Sequence, residues 1–178
     1  MKEKYARALL DMAERFGQTS TAERLKVGAL IYKNDSVIAL GVNGMPPKWP
    51  TEVCEQVEMQ KEHFPEDFTK TLGEEGVRER FPIAELKYTL KNNKGEYYSL
   101  TTKPECRHAE LAALEKLWNS SETAKGATMF ISHSPCKNCS IKMLTAGIEK
   151  VYYKHSYRSR EGIDYLLANN VEVIKLED

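Results

Sequence analysis

The sequence predicts an α/β fold with a central sheet covered by helices on both faces. Three observations carry that expectation. An amphipathic helical pattern opens the chain, two β-rich runs joined by a turn dipeptide follow it, and strand and helix patterns alternate through the C-terminal third. Strands that alternate with helices call for right-handed βαβ crossovers, which place helices on the faces of the sheet. The 178 residues, 41% hydrophobic, suffice for one compact domain over 1–178.

Residues 3–17 place Tyr5, Leu9, Met12, Ala13 and Phe16 on one helical stripe, and Gly17 supplies a stop. The runs 26–33 and 36–43 are separated by Asn34-Asp35, a pair suited to a tight hairpin turn. From Met45 to about Pro104 the pattern breaks down. Pro46-Pro47, Asn92-Asn93 and Gly95 interrupt it, and only a weak helical periodicity runs from Glu52 to His63. This stretch reads as an elaboration, at about 50–104, on the core domain; loops of such length are usually functional or disordered. Regular patterns then return as a helix over 108–118, a strand over 128–133 and a helix over 136–146 stopped at Gly147. A strand over 150–154, a helix near 162–169 and a strand over 171–175 complete the chain. No internal repeat or low-complexity segment is visible.

Composition narrows the function. Twenty-six basic residues balance 26 acidic ones, so no global attraction to nucleic acid or to an anionic membrane is expected. The apolar stretches at 27–32 and 36–42 fall far short of the ~18 residues of a membrane span, and the N-terminal residues lack a signal-peptide core. A cytoplasmic protein is expected, in which the four cysteines serve as ligands or thiols rather than disulfides.

The chemistry is concentrated in His108-Ala109-Glu110 and Pro135-Cys136-Lys137-Asn138-Cys139. Cys136 and Cys139 lie three apart, on one face of a helix's first turn, where the helix dipole and free N–H groups favour thiolates. Pro135 suits the same helix start. His108 and Glu110, two apart, would diverge by roughly 200° within a helix. They converge only on a site at the helix's N-terminal end. Two helix starts meeting there would offer one His and two Cys to a zinc ion and leave a fourth position open, the mark of a catalytic site. A single CxxC is more often structural or redox, and an isolated HxE carries no information. Their joint order matches the H-x-E…P-C-x-x-C signature of the zinc deaminases.

With Lys26-Val27-Gly28-Ala29, Gly41-Val42-Asn43-Gly44, Ala146-Gly147-Ile148 and the pair Tyr153 and Tyr157, these motifs give a resemblance that covers most of the chain. It resembles the cytidine/deoxycytidylate deaminase superfamily, and within it the deoxycytidylate (dCMP) deaminases of bacteriophage type. The resemblance implies a cytidine-deaminase-like α/β/α sandwich with a five-stranded mixed sheet, and conversion of dCMP to dUMP with release of ammonia. It implies zinc on His108, Cys136 and Cys139, with Glu110 moving protons between the attacking water, N3 of cytosine and the departing ammonia. Backbone N–H groups at Ala109 and Cys136 would hold developing charge. Ser134, Tyr157 and Arg158 would border the substrate, and Asn43 would meet the sugar 3′-hydroxyl; on its residue type alone Asn43 is an ordinary turn asparagine. Arg24 matches a phosphate-binding position of some family members, although a single surface arginine is more often solvated charge.

The resemblance further implies a homohexamer in the cytoplasm of a host cell, activated by dCTP with Mg²⁺ and inhibited by dTTP. Gly41, Asn43 and Gly44 are the candidate effector contacts. Two departures stand out. A second, structural zinc, found in some phage members, would need more ligands than Cys54, Cys106 and His63 provide, since Ala22 replaces a further cysteine. Leu111-Ala112-Ala113 also differs from the many relatives that carry Asn at the middle position. Two other functions compete: deamination of a nucleoside or of a base in RNA, and a non-catalytic zinc-stabilised binding domain. An RNA editor would show a basic stripe, and a binding domain has no use for Glu110 beside an open ligand position.

Overall fold

The computed structural model describes residues 1–58, 89–91, 97–157 and 159–177. The chain divides into two compact units, Met1–Thr51 with Glu105–Asp178, and Glu52–Pro104.

The first unit is built on helix α1 (Glu3–Gly17) and the hairpin β1 (Gly28–Lys33) and β2 (Ser36–Val42). Asn34 and Asp35 turn the hairpin with φ of 48° and 57°, the left-handed pair that matches strand twist in two-residue loops. In the second unit, β3 (Cys54–Glu58), β4 (Thr89–Lys91) and β5 (Tyr97–Thr102) form an antiparallel sheet of order β3-β5-β4. The weak helical periodicity expected from Glu52 is therefore overturned at β3. Its hydrogen bonds go to β5, with Cys54 opposite Thr102, a pairing distant in sequence that overrides a weak local preference. His63 lies outside the described residues.

The first unit resumes with α2 (Ala109–Glu115), β6 (Thr128–His133), α3 (Lys137–Thr145), β7 (Lys150–His155), α4 (Glu161–Ala168) and β8 (Glu172–Lys175). Its five strands form one mixed sheet of order β2-β1-β6-β7-β8. The β2-β1 and β1-β6 neighbours are antiparallel, and β6-β7 and β7-β8 are parallel. Side-chain alternation sorts the core onto two faces. Ala29, Ile31, Met129, Ile131 and Val151 meet Ala109 and Ala113 of α2, Cys139 and Met143 of α3, and Leu166 of α4. Leu30, Phe130 and Tyr152 meet Ala6, Leu10 and Ala13 of α1, with the Phe130 and Tyr152 rings stacked 4.9 Å apart.

Helix α1 has the expected span and a different buried face. Ala6, Leu10, Ala13 and Gly17 are buried, while Tyr5 and Met12 remain 55% and 39% exposed. The helix lies so close to β1 that a Cβ on Gly28 would overlap the Ala13 carbonyl, so only the face of small residues fits. Helix α2 also ends at Glu115, earlier than its apolar periodicity suggests, because 116–119 turns away. Among the described residues, no helix is long and apolar enough to cross a membrane.

Candidate active site

The site forms where two chain segments enter helices in the same way. His108 is the N-cap of α2 with φ −73° and ψ 156°, and Cys136 is the N-cap of α3 with φ −74° and ψ 163°. Both carbonyls accept the first intrahelical bond, from Ala112 and Ser140, at 3.0 Å each. Neither side chain caps its helix, so each is turned to other use. This geometry resolves the divergence expected of His108 and Glu110, since an extended N-cap residue does not follow the helical rotation. Cys139, one turn into α3, completes the group.

His108 Nδ1 lies 3.5 Å from Cys136 Sγ and 3.3 Å from Cys139 Sγ, and the three potential ligand atoms lie within 4.8 Å of one another. Tetrahedral bonding at ~2.0–2.1 Å to nitrogen and ~2.3 Å to sulfur requires ligand atoms about 3.6–3.8 Å apart. The two histidine–cysteine separations thus stand within a few tenths of an ångström of that spacing, and the chemistry of the three donors suits zinc. Among the described residues this is the one group of three or more His, Cys, Asp or Glu side chains so arranged. Cys54 and Cys106 form no disulfide and, among the described residues, belong to no such group.

The electrostatics separate the roles. The hydrogen bond from the Cys139 thiol, then that to His108, pulls the Cys136 thiol down to about 3. The same bond to Cys136, with burial, pushes the Cys139 thiol up. The hydrogen bond to Cys136 raises His108 against the opposing effect of partial desolvation. Glu110, in the first turn of α2, is 4% exposed. Burial raises its carboxyl above the usual range, although a backbone hydrogen bond and His108 act against it. A raised carboxyl exchanges protons near neutral pH more readily than an ordinary one.

Asn43 sits just past β2 with every polar group engaged. Its Oδ1 accepts the Val27 N–H at 2.8 Å, and its Nδ2 donates to the Leu25 carbonyl at 2.7 Å. Its backbone carbonyl accepts the Ser20 hydroxyl at 2.7 Å. Half-buried Arg24 precedes this pinned segment. Gly44 and Arg107 exchange both backbone hydrogen bonds, at 2.9 and 3.0 Å, which ties the Asn43 turn to the residue preceding His108. The Arg107 guanidinium pairs with Glu115 and donates to the Met45 carbonyl at 3.2 Å.

Buried Ser134 donates its N–H to the His155 carbonyl at 2.8 Å, and its hydroxyl accepts the Tyr157 N–H at 2.7 Å. That links the loop carrying Cys136 to the segment after β7. Arg158 lies outside the described residues.

A family profile, the cytidine and deoxycytidylate deaminase zinc-binding region, matches residues 1–155. The chain belongs to this family. The deoxycytidylate deaminase of Enterobacteria phage T4 is 29% identical over 185 residues, covering 96% of this chain and 89% of its own. That of Mycobacterium phage D29 is 29% identical over 144 residues, covering 81% and 89%. The crystal structure of the dCMP deaminase from cyanophage S-TIM5 in complex with dCMP and dUMP superposes with a TM-score of 0.71, at 34% identity over 99% of both chains. The five-stranded mixed sheet flanked by helices is thus the deaminase fold that the sequence resemblance implies.

In this deaminase Arg107, which no motif singles out, is a structural contributor, and Gly41, expected as an effector contact, has a packing role instead. Gly41 lies within β2, opposite Ala29, and not in an open turn. A Cβ there would stand 2.2 Å from the Ala109 carbonyl oxygen and 2.4 Å from the Ala113 nitrogen, so its missing side chain is space occupied by α2. Gly44, by contrast, has no atom within 4 Å of such a Cβ.

Proposed function

We propose that this chain is a zinc-dependent deaminase that converts dCMP and water to dUMP and ammonia. The observation that carries the reading is the His108–Cys136–Cys139 group beside a buried carboxylate, Glu110, that lies outside it. A purely structural metal site has no use for that carboxylate. The dCMP and dUMP held by the 34%-identical cyanophage enzyme favour the nucleotide as substrate.

Bound zinc supplies the Lewis-acid chemistry that makes a water nucleophilic near neutral pH. Glu110 accepts the proton that this water loses and delivers it to N3 of cytosine as the oxygen adds at C4. It then takes the remaining proton of the new hydroxyl and passes it to the 4-amino group. The C4–N bond breaks with its electron pair leaving on nitrogen, and ammonia departs. Burial of Glu110 excludes bulk water from these transfers. Backbone N–H groups of Ala109 and Cys136 support the developing charge. Asn43 holds the sugar side through its turn, while Arg24 and Tyr157 serve the phosphate.

Regulation in a homohexamer, with dCTP·Mg²⁺ activating and dTTP inhibiting, belongs to the same proposal. The open space at Gly44 admits a ligand to the backbone, and the Gly44–Arg107 bonds would carry a shift there toward His108. The phage sources of the relatives support a reading in which the enzyme works in a host cell's cytoplasm. Ammonia release from dCMP, dCTP, deoxycytidine and a tRNA anticodon stem tests the activity, and a marked preference for dCMP is the expected result. Turnover of deoxycytidine or RNA in preference to dCMP overturns the substrate. Saturation curves for dCMP with and without each triphosphate and Mg²⁺, beside a sedimentation measurement, test the regulation. A hyperbolic curve unmoved by either nucleotide, from a monomer, overturns it.

A further inference from the structure

Helix α4 contributes no ligand, yet its first turn rests on the loop that does. A Cβ on Gly162 would stand 2.1 Å from the Pro135 carbonyl oxygen, 2.8 Å from the Cys136 carbonyl carbon and 2.8 Å from Ser140 Oγ. Two of these three are backbone atoms, so no side-chain rotation relieves the contact. On one side, α4 is anchored by buried Ile163 and Leu166. On the other, the Pro135 side chain is fully buried and the Cys136 carbonyl is held by the Ser140 N–H at 3.0 Å and the Ser140 hydroxyl at 3.1 Å. The backbone at Cys136 is therefore clasped between its own helix and α4.

We propose that Gly162 is a positioning residue for the metal centre, setting the place of Cys136 by seating α4 directly on the Pro135–Cys136 backbone. The proposal rests on the zinc reading above. Its magnitude follows from the contact: 2.1 Å must open by about 1.3 Å to reach ordinary contact at 3.4 Å. A metal–ligand distance tolerates only ~0.2 Å. If the loop absorbs even a quarter of the displacement, Cys136 Sγ leaves its place.

The test measures zinc affinity by competition with a chromogenic chelator and records the absorption bands of the cobalt(II)-loaded protein. Gly162→Ala is expected to weaken zinc binding tenfold or more, the range typical of changes behind the ligands, and to alter the cobalt bands. Ile163→Ala loosens the same helix without pressing on the loop, and is expected to keep zinc affinity within twofold. Ser140→Ala removes one of the two donors to the Cys136 carbonyl and creates no clash, and is expected to weaken zinc binding severalfold. Unchanged affinity and cobalt bands in Gly162→Ala, or an equal loss in Ile163→Ala, would overturn the proposal. If Gly162→Ala does not accumulate as folded protein, unchanged affinity in Ser140→Ala overturns it. Zinc affinity that survives Cys136→Ser would overturn the ligand assignment itself, and the proposal with it.

Discussion

Asn43 has a structural role and a proposed one in substrate binding, and one substitution can separate them. Its side chain makes two hydrogen bonds to the backbone of the segment entering β1, to the Val27 N–H and the Leu25 carbonyl. Asn43→Ala removes both and leaves a part-buried donor and acceptor without their partners. Each such loss costs ~1–3 kcal/mol, so the pair costs about 2–4 kcal/mol after allowance for partial access to water. For a chain of this size that is a fall in melting temperature of roughly 5–15 °C. Asn43→Asp keeps the acceptor for Val27 and sets a carboxylate oxygen against the Leu25 carbonyl, so it recovers less than half of the loss. The assay is a calorimetric scan of the zinc-loaded proteins, and a change within 2 °C for Asn43→Ala would refute the reasoning. The second role, contact with the sugar 3′-hydroxyl, is read from kcat/KM for dCMP against the analogue lacking that hydroxyl. If Asn43 makes the contact, the wild type prefers dCMP and the alanine variant loses the preference. If both substrates fall equally, the asparagine acts only through its turn.

Three further outcomes are expected. Glu110→Gln retains zinc, measured by metal analysis, and loses ~10²–10⁴ in turnover; residual activity above a tenth would place the proton transfers on another group. Arg24→Ala raises the KM for dCMP more than tenfold, in keeping with the ~1.5–3 kcal/mol of a charge-assisted bond, and lowers the preference over deoxycytidine; an unchanged preference makes Arg24 surface charge. Glu14 is raised by burial but more strongly lowered by Lys154 and His155, so its carboxyl lies below the usual 4.5. A lowered carboxyl contributes stability above its unfolded pKa and loses it as pH falls through the folded one. Glu14→Gln should therefore be less stable at pH 7, by up to about 1 kcal/mol for so exposed a pair, with the gap closing on acidification below 4.5; a gap independent of pH would refute the ion-pair account.

The parts of the fold legible in the sequence are those fixed by local periodicity and local chemistry. Asn34-Asp35 specified its turn because both residues tolerate the left-handed backbone. The span of α1 was legible, but its buried face was not. Tyr5, Leu9, Met12 and Phe16 form as regular a stripe as Ala6, Leu10, Ala13 and Gly17, and the choice depends on how closely β1 approaches. Strand β3 escaped because its pairing with β5 joins residues far apart in sequence. Gly41 and Gly162 were legible as glycines only. A contact between a missing side chain and a distant backbone leaves no periodic trace.

The site itself was legible in its residue types, and the structure adds why they can work together. Were His108 inside α2, the helical rotation would carry it away from Glu110. As an N-cap it is released from that rotation, and Cys136 is released in the same way at the start of α3. On the zinc reading, the two residues that reach outward to a shared ion therefore sit just outside their helices. Glu110 and Cys139, which need to be held and dry, sit just inside, with exposures of 4% and 5%. This division accounts for the motif spacing on both segments. One extra helical residue before either would bring His108 or Cys136 into the helix, turn its side chain off the shared point and leave fewer than three donors in reach. The spacing is thus a consequence of where each helix begins, and a change that extends α2 or α3 by one residue should abolish metal binding without altering any ligand.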